Sequence, residues 1–482
     1  MAFRHGVYKS EVPTSIIPPS QINAGLPVIV GTAPVYMCEE MKVNEPVLVY
    51  RYEEAVKALG YSSDWKKYTL CEFMYSQFAL FAKSPAVMIN VFDPESHKEN
   101  VNLTSYSISD GEINLGQDVM LSKGLTFETG KNYVQGEDYE CGYDDSGNAV
   151  VSIITGGKMS ALTGVKIGHV RAKPESVSAD EIIGGIEVST GKHKGLECIN
   201  DVFPKFRLIP GLIGSPKYSC DSGVAGVMRA KAENINGIFT GQAVIDIPCD
   251  SANADVYTEV PEWKNKHNYM AEREIVCWPK VKLADKIFHL STQLIGLMNQ
   301  VDSEHDDVPY KSPSNELLQM DSCVNDAGEE IMLGLEQANY LNSQGIVTCL
   351  NFMSGWAAWG NRTGCYPGNT DPKDAFIPVR RMFDYVGNLF ITTFWQRVDA
   401  PVTVRLIRQI VNSFNLVLNG MQAREMILGG RVEFKESENV LTDLMNGILK
   451  FHVYMTPPVP AEVIEGILEF DPEYMNTLFE GL

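Results

Sequence analysis

Three groups of residues have the types and spacing for chemistry. Asp302, Glu304, His305, Asp306 and Asp307 crowd oxygen and nitrogen donors into one short stretch. A hard cation takes such donors, but the spacing is not that of a calcium loop, and a charge run beside Pro309 reads as a solvated turn. Two Gly-Lys pairs, Gly130-Lys131 and Gly191-Lys192, lack the glycine five positions earlier that a phosphate-cradling loop needs, and Asn132 and His193 stand where a hydroxyl would hold magnesium. No GxGxxG fingerprint is present, and no GxSxG turn exposes a serine: Ser215, Ser222 and Ser354 have glycine neighbours without that frame. The eight histidines are far apart in sequence, so a Ser/His/Asp set formed only in space stays open. GWAAWGNRTG (355–364) offers either a stacking site or a packed turn with Trp356 and Trp359 buried and Arg362 bonded to carbonyls. No catalytic residue, cofactor or metal ligand is assigned, and the chain reads as non-enzymatic.

Charge is more informative. The chain has 482 residues and a net charge of −21, which repels a phosphate backbone, so nucleic acid is not expected as a direct partner. Within it, 378–431 carries Arg380, Arg381, Arg397, Arg405, Arg408, Arg424 and Arg431 against only Asp384, Asp399 and Glu425, with no lysine. Such a patch is either a docking face for an acidic partner or a set of internal salt bridges.

These residues must be positioned by a sizeable core, and 44 % hydrophobic with 21 % charged residues is a globular composition. No apolar window is long enough to span a bilayer, and the N-terminus lacks a signal-peptide core, so the chain is expected in a cytoplasm with its ten scattered cysteines reduced. LPVIVGTAPVY (26–36) and PAVMINVFDP (85–94) are apolar runs separated by helical patterns, which predicts βαβ packing with strands buried on both faces. Residues 99–196 turn to short strands broken by SDGE, SKG, ETGK, DDSGN and TGG, read as a β-rich insertion. The α/β pattern resumes in FRLIPGLIG, SGVAGVMRAKAENING and QAVIDIP, so the fold class is α/β and α+β multidomain with a discontinuous α/β core at 23–98 and 197–310. After a charged, proline-bearing stretch at 302–316 comes a C-terminal α+β domain, 311–468. It includes a helix with Ile331, Leu335, Ala338 and Leu341 on one face ending at Gly345, the strand IVTCLNF, and a helix opening at Pro401 with the stripe Val404, Ile407, Val411, Phe414 and Leu418. ILKFHVYM (448–455) alternates, with Leu449, Phe451, Val453 and Met455 on one face.

Both ends carry apolar residues on segments too short to bury them: Phe3, Val7, Tyr8 and Val12 in arm 1–22, and Phe470, Tyr474, Leu478 and Phe479 in arm 469–482. Extended segments of this kind satisfy their backbone by adding to another molecule's sheet edge, and head-to-tail exchange makes rings or helices. A hydrolase hidden in the α/β core and a monomeric binding module using 99–196 are the other readings, and neither accounts for the arms.

HGVYKSEVPTSIIPPSQINAGLPVIVGTAP, VPYKSPSN, LNSQGI, WGNRTG, DPKDAFIPVRRMFDYV, FWQRVDAP, GRVEF and FHVYMTPPVPAEVIEGILEFDPEYMN together resemble the tail sheath proteins of contractile bacteriophage tails and phage-tail-like bacteriocins. The resemblance implies hexameric rings stacked helically around an inner tail tube, with baseplate and tail terminator proteins as further partners, no membrane insertion, and residence in a tail assembled in a bacterial cytoplasm. It implies that the arms are strand donors and that Leu449, Phe451, Val453 and Met455 lie in an acceptor strand. Within the arginine-rich segment, Arg380, Arg381, Arg397, Arg405 and Arg408 are the candidates to face the tube, because weak charged contacts can hold and then release.

Overall fold

A computed structural model describes residues 23–144, 147–353 and 355–479. Phe3, Val7, Tyr8 and Val12 therefore lie outside the described residues, as does the side chain of Phe479.

An eight-stranded sheet is the frame, in the order Trp356–Trp359, Ile346–Asn351, Glu274–Cys277, Gln242–Asp246, Leu212–Gly214, Pro27–Gly31, Ala86–Asn90, Pro46–Val49. Neighbours pair in parallel except at the two edges, where Trp356–Trp359 and Pro46–Val49 run antiparallel. The strands PVIVG and AVMIN are buried at every residue, the consequence of helices on both faces. One of those helices, Leu290–Ser303, is buried almost all round. Another, Ser222–Glu233, starts where the Asp221 carboxylate accepts from the Gly223 and Val224 amides.

The core differs in extent from the sequence boundary at 310. Ile346–Asn351 and Trp356–Trp359 join the central sheet, and Leu318, Met320, Cys323, Leu333 and Leu341 belong to the main hydrophobic core. An apolar run identifies a strand, but not the sheet it will join.

The insertion is a separate β unit with its own core of Ile113, Leu115, Val119, Tyr139, Ala149, Val151, Met159 and Ile167. It consists of two three-stranded sheets and ends with the strand Gly164–Ala172, earlier than 196, because Val177, Ile182 and Leu196 already pack in the main core.

A third core is built on the helices Ile377–Phe394 and Val404–Ala423 with the antiparallel pair Gly429–Glu433 and His452–Thr456. The second helix begins at Val404, capped by Thr403 Oγ1 accepting from the Leu406 amide, rather than at Pro401. Its buried face is Leu406, Ile410, Phe414, Leu418 and Met421, while Val404 is exposed, so the apolar stripe is rotated from the one read in the sequence. The helix at Leu335–Asn342 likewise begins after Ile331.

Candidate assembly surface

The arginine segment divides in two. Arg380 donates from Nη1 to Asp374 (3.0 Å) and from Nη2 to Asp384 (3.2 Å), and Arg381 forks onto Asp302. Asp384 is the hub of this layer: it also accepts from Arg273 Nη2 (2.9 Å), Gln242 Nε2 (2.6 Å) and Thr240 Oγ1 (3.0 Å). Arg380 and Arg381 are buried: Arg381 fastens the helix Ile377–Phe394 to the helix Leu290–Ser303 through Asp302, Asp384 links it to the central sheet through Gln242, and neither arginine can present charge to a tube. This corrects their assignment as tube-facing residues. The physical reason is that a buried guanidinium is tolerated when its donors meet carboxylates, and three are in reach.

Arg397, Arg405 and Arg408 are exposed and form no ion pair with the described residues. They sit at and just beyond the turn between the two long helices, beside exposed Trp395, Val398, Val402 and Val404. Arg424 and Arg431 pair with Asp306 and Glu433 at the surface.

Asp302, the first member of the acidic run, is thus buried against Arg381, and no group of His, Cys, Asp or Glu among the described residues has the arrangement to hold a metal ion. Ser, His and carboxylates do converge in the buried core. The Ser291 hydroxyl donates to Asp246, while His289 Nδ1 lies 2.9 Å from Glu72, whose other oxygen accepts from the His289 amide. Burial pushes the Asp246 carboxyl up, against the pull of His289 and the Ser291 bonds. Ser291 is bound to a carboxylate rather than to an imidazole and is sealed from solvent, so it lacks both the base and the access of a nucleophile.

The C-terminal two-stranded sheet has two unlike edges. On the Gly429–Glu433 side, Asn415 from the helix Val404–Ala423 supplies a side-chain amide in place of a strand: Nδ2 donates to Val432 O (3.3 Å) and the Val432 N–H donates to Oδ1 (2.8 Å). With both its main-chain groups turned to Asn415, Val432 and its partner Val453 form a non-hydrogen-bonded pair. Antiparallel alternation then turns the N–H and C=O of Val453, and of Met455 two residues on, to the opposite edge. No strand covers that edge among the described residues.

The strand occupies His452–Thr456, shorter than 448–455, and Leu449, Phe451, Val453 and Met455 pack half-buried on the third core. The other face is polar and stacked: His452 lies 4.3 Å from the Tyr454 ring, and the Arg431 guanidinium 3.9 Å from it.

Downstream, segment 457–471 has no regular structure, and Pro472–Phe479 is a 3-10 helix. Phe470, Tyr474 and Leu478 are 80, 74 and 64 % exposed, joined by exposed Val463, Ile464, Ile467 and Leu468. Arg362 is bonded to the Glu462 carboxylate of this segment rather than to carbonyls, and Trp356 and Trp359 are half-buried. The sequence held no signal for the Asn415 cap or for Glu462 as a partner, because each joins positions far apart or depends on register. Among the described residues no helix is long and apolar enough to cross a membrane.

No family model matches the sequence. The chain is 26 % identical over 490 aligned positions to the tail sheath protein of Burkholderia phage BcepMu, covering 99 % of both chains. It is 23 % identical to the major tail sheath protein of Serratia phage KSP20, over 62 % of this chain and 73 % of that one. In fold it is similar to a chain of the anti-feeding prophage (AFP) baseplate, with a TM-score of 0.58 and 15 % identity over 98 % of this chain and 100 % of that one. It is also similar to a chain of the contracted sheath complex of the extracellular contractile injection system PVC, with a TM-score of 0.56 and 12 % identity over 98 % of this chain and 99 % of that one. The chain is thus similar over its whole length to one tail sheath protein and over part of it to another, and its fold is similar to those of chains in the AFP baseplate and the PVC sheath complex.

Proposed function

We propose that the chain is the structural subunit of a contractile sheath whose hexameric rings stack helically around an inner tube and are linked by strands exchanged between neighbours. The observation that carries this reading is an apolar, solvent-exposed C-terminal segment in a chain whose His452–Thr456 strand has an uncovered edge. Leaving either alone in water is costly, and a neighbour's arm on that edge answers both. The donors are 1–22 and 469–482, and the acceptor is the strand bearing Val453 and Met455, with Leu449 and Phe451 leading into it. Arg397, Arg405 and Arg408 are the remaining candidates to face the tube, since exposed charge binds weakly enough to release.

Contraction is then a repacking of one set of folded subunits from a metastable extended lattice to a shorter, wider one, triggered at the baseplate. A few kcal/mol per subunit, roughly the gap between two packings of one sequence, sums over the lattice to drive the tube through a cell envelope without nucleotide hydrolysis.

Electron microscopy of the full chain beside one lacking 1–20 and 470–482 tests this. Hollow cylinders from the first and small particles from the second are expected. If both remain monodisperse in the presence of a tube protein, the reading fails.

A further inference from the structure

The C-terminal segment leaves its sheet at Thr456, and among the described residues the side-chain bond that ties it to the body beyond that point is at Glu462. Pro457, Pro458 and Pro460 follow the strand, and proline restricts the backbone, so the path to Glu462 is a short stiff spacer. There the Glu462 carboxylate accepts from Arg362 at both oxygens, from Nε at 2.7 Å and from Nη2. The guanidinium lies 3.7 Å from the centre of the Phe376 ring and 4.5 Å from that of Tyr366, and Arg362 also bridges Phe376 through the backbone. Two rings and a bridge orient the fork before any carboxylate arrives.

Beyond Glu462 the bonding is local among the described residues: the Glu473 amide to Asp471, and the Thr477 hydroxyl to Tyr474 O. Val463, Ile464, Ile467 and Leu468 are between 84 and 98 % exposed.

We infer that Arg362 is the socket that fixes the root of the C-terminal arm, so that the arm leaves the subunit from Val463 onward, in one direction, to dock on a second copy of the chain. The inference rests on the exchange of arms proposed above. Residues 463–479, at ~3.3 Å each, reach on the order of 55 Å when extended, enough to cross to a neighbour. The socket contributes direction rather than stability, because an ion pair this close to solvent adds little to folding. Releasing it lengthens the free segment by the spacer and spreads its exit angles, which dilutes the arm at its acceptor.

The test uses the full chain with Glu462→Ala and, separately, Arg362→Lys, which keeps the charge and loses the fork. A spin label on Gly466→Cys reports arm mobility, the native thiols being buried or half-buried. Assembly is read as the protein concentration at which polymers first sediment. The inference expects unchanged melting, sharper label spectra, and a threshold raised about threefold or more in both variants. Wild-type label mobility or a wild-type threshold in Glu462→Ala overturns it. If the unsubstituted chain itself forms no polymer, arm exchange is what fails, and the socket is then decided by label mobility alone: sharper spectra sustain it and unchanged spectra overturn it.

Discussion

Asp302 and Arg381 meet as a two-pronged ion pair whose side chains are 1 and 3 % exposed. Nη1 donates to Oδ1 at 3.0 Å and Nη2 to Oδ2, with Ala24 O a further acceptor at 3.4 Å. The pair ties the helix buried under the central sheet, Leu290–Ser303, to the helix that opens the third core, Ile377–Phe394.

Removing one partner strands the other charge in the interior. Arg381→Ala is expected to cost about 3–5 kcal/mol, read as a lowered urea midpoint. Arg381→Glu places two carboxylates together and should yield little folded protein, so charge reversal here reports on folding and not on tube contact. Reversal at exposed Arg397, Arg405 and Arg408 should leave the midpoint within ~0.5 kcal/mol of wild type while weakening assembly on tubes. Full stability in Arg381→Glu would remove the pair from its structural role.

Asn415 is expected to matter twice. Asn415→Ala leaves the Val432 N–H and C=O without their partner, at a cost of roughly 1–3 kcal/mol in thermal or denaturant unfolding. It also bares the second edge of the two-stranded sheet, so light scattering should show irregular aggregation below the concentration at which the wild type polymerises. A stable variant that scatters like the wild type would mean that the edge is protected by something other than this amide.

The insertion should be acid-sensitive through Asp138. Its carboxylate accepts from the backbone amides of Lys158 (2.7 Å) and Val134 (2.9 Å), and those bonds hold its pKa below the ordinary aspartate value. A depressed folded-state pKa means that the stabilisation is complete above the unfolded value, near 3.9, and drains away as pH falls through the lower folded value. Unfolding of the insertion, followed between about pH 5 and 2, should show this loss in wild type and a flatter profile in Asp138→Asn. Parallel profiles would rule out Asp138 as the source.

The strands at 27–31 and 86–90 were legible because burial on both faces leaves an unbroken apolar run, and the turn-rich insertion because hairpins need glycine and asparagine at set places. Partnership was not legible. IVTCLNF reads as a strand in any sheet, and only the fold puts it beside Glu274–Cys277. The helix after Pro401 has two apolar stripes that share Phe414 and Leu418, and packing selects the one through Leu406 and Ile410. Seven arginines look alike in composition. Two are structural because Asp302, 79 positions away, and the Asp374 and Asp384 carboxylates wait for them. Arg362 and Glu462 stand 100 positions apart, so the motif WGNRTG could show an arginine without showing what it holds.

The uncovered edge of His452–Thr456 gives the sharpest test of strand exchange. The Met455 N–H points away from Gly429–Glu433, so replacing it with proline deletes no bond inside the subunit; the Tyr454 N–H, by contrast, belongs to the internal ladder opposite Arg431. Met455→Pro should therefore fold, losing about 1–2 kcal/mol for the half-buried methionine side chain and the tightened backbone. An incoming strand that needs that donor would meet a blank and a pyrrolidine ring, and assembly should stop. Met455→Leu keeps the donor and a similar volume and should assemble as the wild type does, which separates the main chain from the side chain. If Met455→Pro is folded and still builds cylinders, the arm of a neighbour docks elsewhere, and the open edge is a feature of the lone subunit with no part in the lattice.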